Sequence, residues 1–456
     1  MRPKYLLFIL LACLQQVNAQ ISFSPKIDYA VGYNPQSLCY ADFNGDNIID
    51  LAVANLKGGN VSILLGDGLG GFEADSNFYC GAFPYSICTA DLNNDGKADL
   101  ATANMGPWNE QTLFGNGSGS FIEDTNYSGQ IDSPVAIVNA DFNNDSIIDL
   151  ALATEYDVTI LIGKGLGTFA DPIEFASGYS YSSIITADFN KDGNADLALT
   201  STSGIFILMG NGLGSFSMAA PFAANLSPRS IATADFNGDA ILDLAVANYL
   251  SNDISILIGN GQGSFGTATN FAVGTYPKSI VSADFNNDNK MDIAVTNEYS
   301  SDVYLLEGNG NGSFLTSTIL TVGNLYPNSI ISADFNKDGK IDLALAAVYT
   351  QGYDTGYVEV FLNSTTTEVS QLTENNKQLK LYPNPNKGVF TIEFNENQKI
   401  KENIEIYNAS GKKVYSNSKI QLQNANKIDL NKEPPGIYLA SIYDGENRYT
   451  TKIIVQ

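Results

Sequence analysis

Asp42-Phe43-Asn44-Gly45-Asp46-Asn47-Ile48-Ile49-Asp50 is the first of seven copies of one nonapeptide. The later copies begin at Asp91, Asp141, Asp188, Asp235, Asp284 and Asp334, in steps of 49, 50, 47, 47, 49 and 50 residues. Every copy has Asp at positions 1, 5 and 9 and Asn at position 3. A period near fifty held through seven copies is the mark of a repeat architecture.

The residues around each copy predict strands. In the copy from Phe271 to Phe314, Ser279 to Asp284 alternates like a half-buried strand, A. The nonapeptide follows, then strand B at Asp292 to Thr296, a polar hairpin, and strand C at Val303 to Leu306. A glycine-rich turn, Gly308 to Phe314, leads into strand D. β-Branched and aromatic runs bounded by Gly, Asn and Asp are strand-and-turn signals. Four antiparallel strands per repeat make a propeller blade. The glycine-rich turn ends at Phe72, Phe121, Phe169, Phe216, Phe265 and Phe314, but the seventh repeat passes from Phe361 to Asn363-Ser364-Thr365 without it. The stretch from Ser22-Phe23 to Gly32 has the character of a strand D, so it is expected to complete the seventh blade and close the ring. The fold class expected is all-β: a seven-bladed propeller over 20–363, a linker over 364–378 and a small β-sandwich over 379–456. An up-and-down blade puts the acidic loops and glycine-rich turns on one face. The B–C hairpins and the D–A turns, with Pro35, Pro84, Pro134, Pro228, Pro277 and Pro327, lie on the other.

The nonapeptide is a candidate metal loop. Side-chain oxygens from positions 1, 3, 5 and 9 and the carbonyl of position 7 make an all-oxygen set, which suits calcium over zinc or copper. The predicted ligands are Asp42, Asn44, Asp46, Ile48 and Asp50; Asp91, Asn93, Asp95, Lys97 and Asp99; Asp141, Asn143, Asp145, Ile147 and Asp149; and Asp188, Asn190, Asp192, Asn194 and Asp196. The last three loops supply Asp235, Asn237, Asp239, Ile241 and Asp243; Asp284, Asn286, Asp288, Lys290 and Asp292; and Asp334, Asn336, Asp338, Lys340 and Asp342. Up to seven calcium ions are expected, with affinities on the order of 10⁻⁴–10⁻³ M. Position 6 needs a left-handed backbone, which Gly96, Gly193 and Gly339 supply and which Ser146 and Ala240 suit poorly. The third and fifth loops are therefore expected to bind most weakly. A last ligand at position 9, with strands on either side, separates the motif from an EF-hand.

Composition narrows the function. The balance of 24 basic against 49 acidic residues argues against nucleic acid, which calls for a basic face. The seven motifs, with three Asp each, hold 21 of the 49 acids, and seven divalent ions would bring the charge from −25 to −11. There is no histidine, so Ser-His-Asp and Cys-His catalysis are excluded, whereas carboxylate-only chemistry stays open. Glu110, Glu155, Glu298 and Glu307 are the acids outside the motifs that such chemistry could use. Residues 1–19 read as a secretory leader cut before Gln20; lipidation at Cys13 is the rival reading. No stretch is long and apolar enough to span a bilayer as a helix. Cys39, Cys80 and Cys88 remain, and small buried thiols suit them better than a disulfide framework.

The repeats resemble the FG-GAP/VCBS family, as in the integrin α-chain propeller. The words that carry this are Ala-Asp-Phe-Asn-x-Asp-Gly-x-x-Asp-Leu-Ala and Gly-Asn-Gly-x-Gly-Ser-Phe, over about 345 residues. The resemblance implies seven blades with calcium in the A–B loops. Its members are mostly extracellular adhesion or recognition modules; some related propellers bind sugars or accompany enzymes. The C-terminal region is similar to the sorting domain of the type IX secretion system of Bacteroidota. The matching residues are Leu381-Tyr382-Pro383-Asn384-Pro385, Gly388-Val389-Phe390, Ile406 to Lys412, Gly436-Ile437-Tyr438-Leu439 and Thr451 to Val455. That resemblance implies export across the outer membrane and release or anchoring at the surface, with the secretion machinery as a partner.

The expected function is recognition or adhesion toward an extracellular glycan or protein, without catalysis. A carboxylate-dependent polysaccharide-degrading enzyme and a structural surface protein are the alternatives. Exposed aromatics on the face opposite the acidic loops are the expected ligand site. Trp108, Tyr276 and Tyr326 are its main candidates, with Tyr33, Phe83 and Tyr179 on the same face.

Overall fold

The computed structural model describes residues 21–365 except 74–75, 107–108, 125–130 and 350–355. It also describes residues 379–455 except 395–400, 409–411, 422–425 and 444–447. The leader expected at 1–19, Trp108 and most of the expected linker lie outside the described residues. The chain divides into two compact units, one ending at Thr367 and one beginning at Glu368.

The first unit is seven four-stranded antiparallel sheets. Blade 1 runs Pro35–Ala41, Asp50–Asn55, Asn60–Leu64 and Ser76–Tyr79 in the order A-B-C-D. The next five blades repeat that order. The A strands, from Pro35–Ala41 round to Leu325–Ala333, touch their neighbours in a closed circuit and so line the axis. Strand B is buried along its whole length in blades 1 to 6, as in Asp50–Asn55 and Asp243–Asn248. Its alternating large and small residues (Leu51, Ala52, Val53, Ala54) pack toward both adjacent blades. A sheet covered on both faces reads as a continuous apolar run.

Blade 7 closes as expected. Its strands A to C are Leu325–Ala333, Asp342–Tyr349 and Gly356–Phe361, and its outer strand is Ile27–Val31 from the start of the chain. Ile27 pairs with Val360 and Val31 with Gly356. The backbone continues the seam, with Ser24 N–H donating to the Leu362 carbonyl (2.8 Å) and Ser364 N–H to that of Ser22 (2.9 Å). Glu359 on strand C is wholly buried and holds the ammonium of Lys26, which also contacts Asp28 at 2.9 Å. Burial pushes the Glu359 carboxyl up to about 7, against the pull of Lys26.

In the second unit one sheet is Leu379–Tyr382, Val389–Phe394 and Asn426–Asp429. The other is Lys413–Gln421, Lys401–Asn408, Gly436–Tyr443 and Arg448–Val455. Phe390 and Ile428 from the first pack with Ile404, Ile406, Tyr438 and Ile453 from the second in one core. This is the expected sandwich.

Removing one partner of a buried ion pair costs about 3–5 kcal/mol, because the other charge stays behind. Lys26→Met is expected to lose that much in a urea melt at pH 8, and Lys26→Met with Glu359→Leu to recover most of it. The pH dependence has a fixed sign. A carboxyl raised in the folded state, from 4.5 to about 7 here, stabilises fully below its unfolded pKa and loses that contribution as pH rises through its folded pKa. The Lys26→Met penalty should therefore shrink at pH 5. An equal penalty at both pH values would show that Glu359 is not what Lys26 neutralises.

Candidate functional site

All seven nonapeptides fold alike. The position-1 carboxylate takes the position-5 N–H on one oxygen and the position-6 N–H on the other, as Asp235 does from Asp239 (3.1 Å) and Ala240 (2.7 Å). The position-3 Asn oxygen takes the position-5 N–H, and the position-5 carboxylate takes the position-7 N–H. Burial opposes ionisation of Asp235, but the N–H groups of Ala240, Gly238, Asp239 and Asn237 outweigh it and hold its pKa below the usual value. Position 6 is left-handed in every copy, including Ser146 (φ 67°) and Ala240 (φ 62°). Position 4 is left-handed as well, from Gly45 (φ 80°) to Lys337 (φ 59°), a second constraint not seen in the sequence.

Position 9 does a different job from positions 1, 3 and 5. Asp50, Asp99, Asp149, Asp196, Asp243, Asp292 and Asp342 are all fully buried. One oxygen accepts the N–H of position 2 in its own loop, for instance Phe43 at 2.9 Å. The other accepts the N–H of the first glycine of the C–D turn, as with Gly66 at 2.8 Å. Burial pushes these carboxyls up, to about 6 for Asp99, Asp149, Asp243 and Asp342 and to about 7 for Asp292. The two N–H bonds oppose that rise and the carboxylates at positions 1 and 5 add to it. In blade 7, which has no glycine-rich turn, Asn363 stands in: its N–H reaches Asp342 (2.6 Å) and its amide reaches the Phe285 carbonyl (2.8 Å). In other blades a turn glycine makes that second bond, as Gly119 does to the Phe43 carbonyl at 2.9 Å. Position 2 is buried in each copy, and Phe43, Phe142, Phe189 and Phe236 each meet the turn phenylalanine of the next blade edge-on at 5.5–5.8 Å. Phe23 takes that part against Phe285 at 6.2 Å.

The loops offer Asp, Asn and Asp side-chain oxygens at positions 1, 3 and 5 and a carbonyl at 7. These are hard donors that fit a calcium-type cation. Among the described residues no three His, Cys, Asp or Glu side chains converge as a ready cage. The loop's own amides hold the carboxylates: Oδ1 of Asp42 accepts from both Gly45 and Asp46, whereas its Oδ2 accepts from Asn47 and keeps a second lone pair. Three copies carry a lysine at position 7. Lys97, Lys290 and Lys340 put their ammonium groups 3.2, 2.9 and 3.7 Å from Asp95, Asp288 and Asp338. In the other four the position-3 amide donates to that same carboxylate oxygen at 2.9–3.0 Å.

The opposite face is less regular. Each A strand has a β-bulge directly after its first residues, between Pro35 and Ser37 in blade 1 and at the matching place in the other six. The extra residue is Gln36, Tyr85, Val135, Ser182, Arg229, Lys278 or Asn328, seven different types in an otherwise repetitive strand. Bulges re-aim side chains, and these sit on the axial strands at the end remote from the acidic loops. Lys278 reaches Asn328 (2.8 Å) and Glu298 (3.2 Å), and Tyr249 also donates to Glu298 (2.9 Å). Of the aromatic candidates, Tyr276 stacks on Tyr249 at 4.6 Å with Tyr299 edge-on at 5.6 Å. Tyr326 is half-buried opposite Val348. Tyr33 and Phe83 are exposed, whereas Tyr179 packs on Phe206 at 4.4 Å and belongs to the core. Cys39, Cys80 and Cys88 are free thiols, and burial pushes Cys80 up to about 12.

This fold and these loops define a seven-bladed β-propeller followed by a β-sandwich. The FG-GAP-like repeat matches residues 42–102, 141–199, 188–246, 235–295 and 284–345, and the chain belongs to the FG-GAP-like repeat family. The secretion system C-terminal sorting domain matches residues 380–456. The protein is thus type IX secretion cargo with an extracellular or cell-surface location. No protein of curated function matches the chain. Among solved structures the chain is similar to an Agrocybe aegerita lectin that recognises non-reducing terminal N-acetylglucosamine. Identity there is 17%, over 69% of this chain and 86% of that one, with a TM-score of 0.48. It is also similar to a functionally unknown protein from Desulfotomaculum acetoxidans, at 14% identity over 67% and 94%, with a TM-score of 0.46.

The two carboxylate roles separate in a chelator-treated sample. Asp243→Ala strands two buried amides and is expected to cost about 1–3 kcal/mol for each. Asp239→Ala, at an exposed position, is expected to cost under about 0.5 kcal/mol. Equal losses in urea melts would show that position 9 is not the clamp.

Proposed function

We propose that this secreted propeller is a calcium-binding recognition and adhesion module for an extracellular glycan or protein. The observation that carries the reading is the division of labour between the two faces. One face repeats a single all-oxygen loop seven times, and the other varies the residue at a single bulged position seven times. A repeated feature suits the scaffold; a varied one suits selection of a partner. The side-chain oxygens of positions 1, 3 and 5 and the position-7 carbonyl would hold calcium, which would neutralise the facing carboxylates of each loop and fix its winding. Ser146 and Ala240, without the freedom of glycine at a left-handed position, make the third and fifth loops the weakest.

Support for binding over catalysis comes from the acids outside the loops. Glu110 is buried against Thr112 (2.6 Å), and Glu298 is occupied by Lys278 and Tyr249. Glu307 accepts the Ile21 N–H.

Chelation is expected to lower and broaden the thermal transition, and millimolar calcium to restore it through preferential binding to the folded state. An unchanged transition would remove calcium from the reading. A glycan array probed with and without chelator then tests recognition, and silence toward every glycan would leave a protein partner or a structural role.

A further inference from the structure

Arg229 is the only arginine between Arg2 and Arg448. It stands at a bulged position on an axial strand, and the other cation among the seven bulged residues, Lys278, is already paired with Glu298. Its guanidinium lies over the Tyr249 ring at 5.2 Å, and among the described residues no carboxylate pairs with it. The same side chain lines a cavity of about 240 Å³, together with Tyr85, Ser182, Tyr181, Thr202 and Glu155. Tyr85 and Ser182 are themselves bulged residues from other blades, so this cavity belongs to the channel mouth.

From this geometry we infer that the channel mouth binds one carboxylated sugar residue, a uronic acid. This rests on the recognition reading above and names the ligand class for it. A guanidinium fork matches a carboxylate in two parallel hydrogen bonds. Arg229 has that fork unspent on protein, and its stacking on Tyr249 fixes the plane in which it is presented. Arg229 is the one cation among the residues that line the cavity, in a chain of charge −25 and with the exposed Glu155 on the same wall. A phosphate monoester dianion would be left under-compensated there; a singly charged carboxylate would not. The other groups are those a sugar ring uses: the hydroxyls of Tyr85, Ser182 and Thr202, and Glu155 as an acceptor for ring hydroxyls. Ser182 donates to the Pro228 carbonyl at 2.8 Å and accepts from the Thr200 hydroxyl at 2.9 Å, which leaves one lone pair of its oxygen for a ligand. The cavity is smaller than the roughly 300–1,000 Å³ of pockets that enclose a whole drug-sized ligand. It therefore takes one residue of a longer glycan.

The test is titration calorimetry on the full chain with calcium present. The probes are trisaccharides ending in glucuronate or galacturonate and the same trisaccharides with that carboxyl reduced to an alcohol. The uronates are expected to bind at least tenfold tighter than their reduced forms. Arg229→Gln should erase that difference, and Arg229→Lys, which keeps the charge and loses the fork, should retain only part of it. Glu155→Gln should weaken the reduced forms and, because it also removes a like charge from the cavity wall, weaken the uronates less. Arg229 is exposed, so unchanged melting of these variants checks that the fold is intact. Equal binding of acid and reduced forms, or uronate binding indifferent to Arg229→Gln, overturns the assignment. Preference of Arg229 for peptide C-terminal carboxylates over uronates overturns the sugar class. If neutral glycans bind elsewhere while uronates do not, this inference fails and the recognition reading stands; if no glycan or protein partner binds at all, both fall.

Discussion

Each blade is held by one buried carboxylate that serves two loops. The position-9 aspartate accepts an amide from the start of its own acidic loop and another from the turn between strands C and D. Neither loop has regular pairing of its own, and a buried amide without an acceptor is costly. The aspartate satisfies both and fixes the distance between the loops. With that distance fixed, the position-2 side chain drops into the core and meets the turn phenylalanine of the next blade. Burying a phenyl group there contributes about 1.5–3 kcal/mol. The electrostatic clamp within a blade thus sets up the apolar contact between blades, and the repeat is energetically one unit with its neighbour.

Much of this was legible in the sequence. The period counted the blades, the alternating runs located the strands, and the missing turn after Phe361 pointed to Ile27–Val31 as the closing strand. What was not legible depended on contacts between distant residues. Position 9 carries the same aspartate as positions 1 and 5, while its burial and its second amide come from a turn 16 residues on in most blades. Asn363 stood in the sequence as the last residue of the propeller with no visible role; only the fold shows that it replaces a whole glycine-rich turn. The bulged ring left a faint trace, a variable residue inside the recurring Pro-x-Ser word. One sequence cannot distinguish that from ordinary surface drift. Tyr179 and Tyr276 occupy matching turns, yet one joins the core and the other stacks at the surface, because Phe206 lies beneath the first.

The two faces also differ in how they tolerate change. On the acidic face, a substitution at position 9 disturbs the core, whereas positions 1 and 5 sit at the rim and bond only to their own loop's amides, as in blade 5. On the other face, a bulged residue is outside the strand ladder and can change without disturbing its register. Seven such positions on a rigid ring give a surface that can be rewritten one side chain at a time while the scaffold stays constant.

The seam between Ile27–Val31 and Gly356–Phe361 constrains the order in which the ring can form. The partners are more than 300 residues apart, as the 333-residue separation of Lys26 and Glu359 shows. Loop-closure entropy grows only logarithmically, by about 0.6 kcal/mol per doubling of length, so the finished molecule is little weakened by the distance. The burden falls on time. Until strand C of the last blade has emerged, the first strand has no partner and the seventh sheet has no outer edge, and an unpaired edge invites other chains. The ring can be locked only in its final step, when nearly all of the propeller chain has already been made.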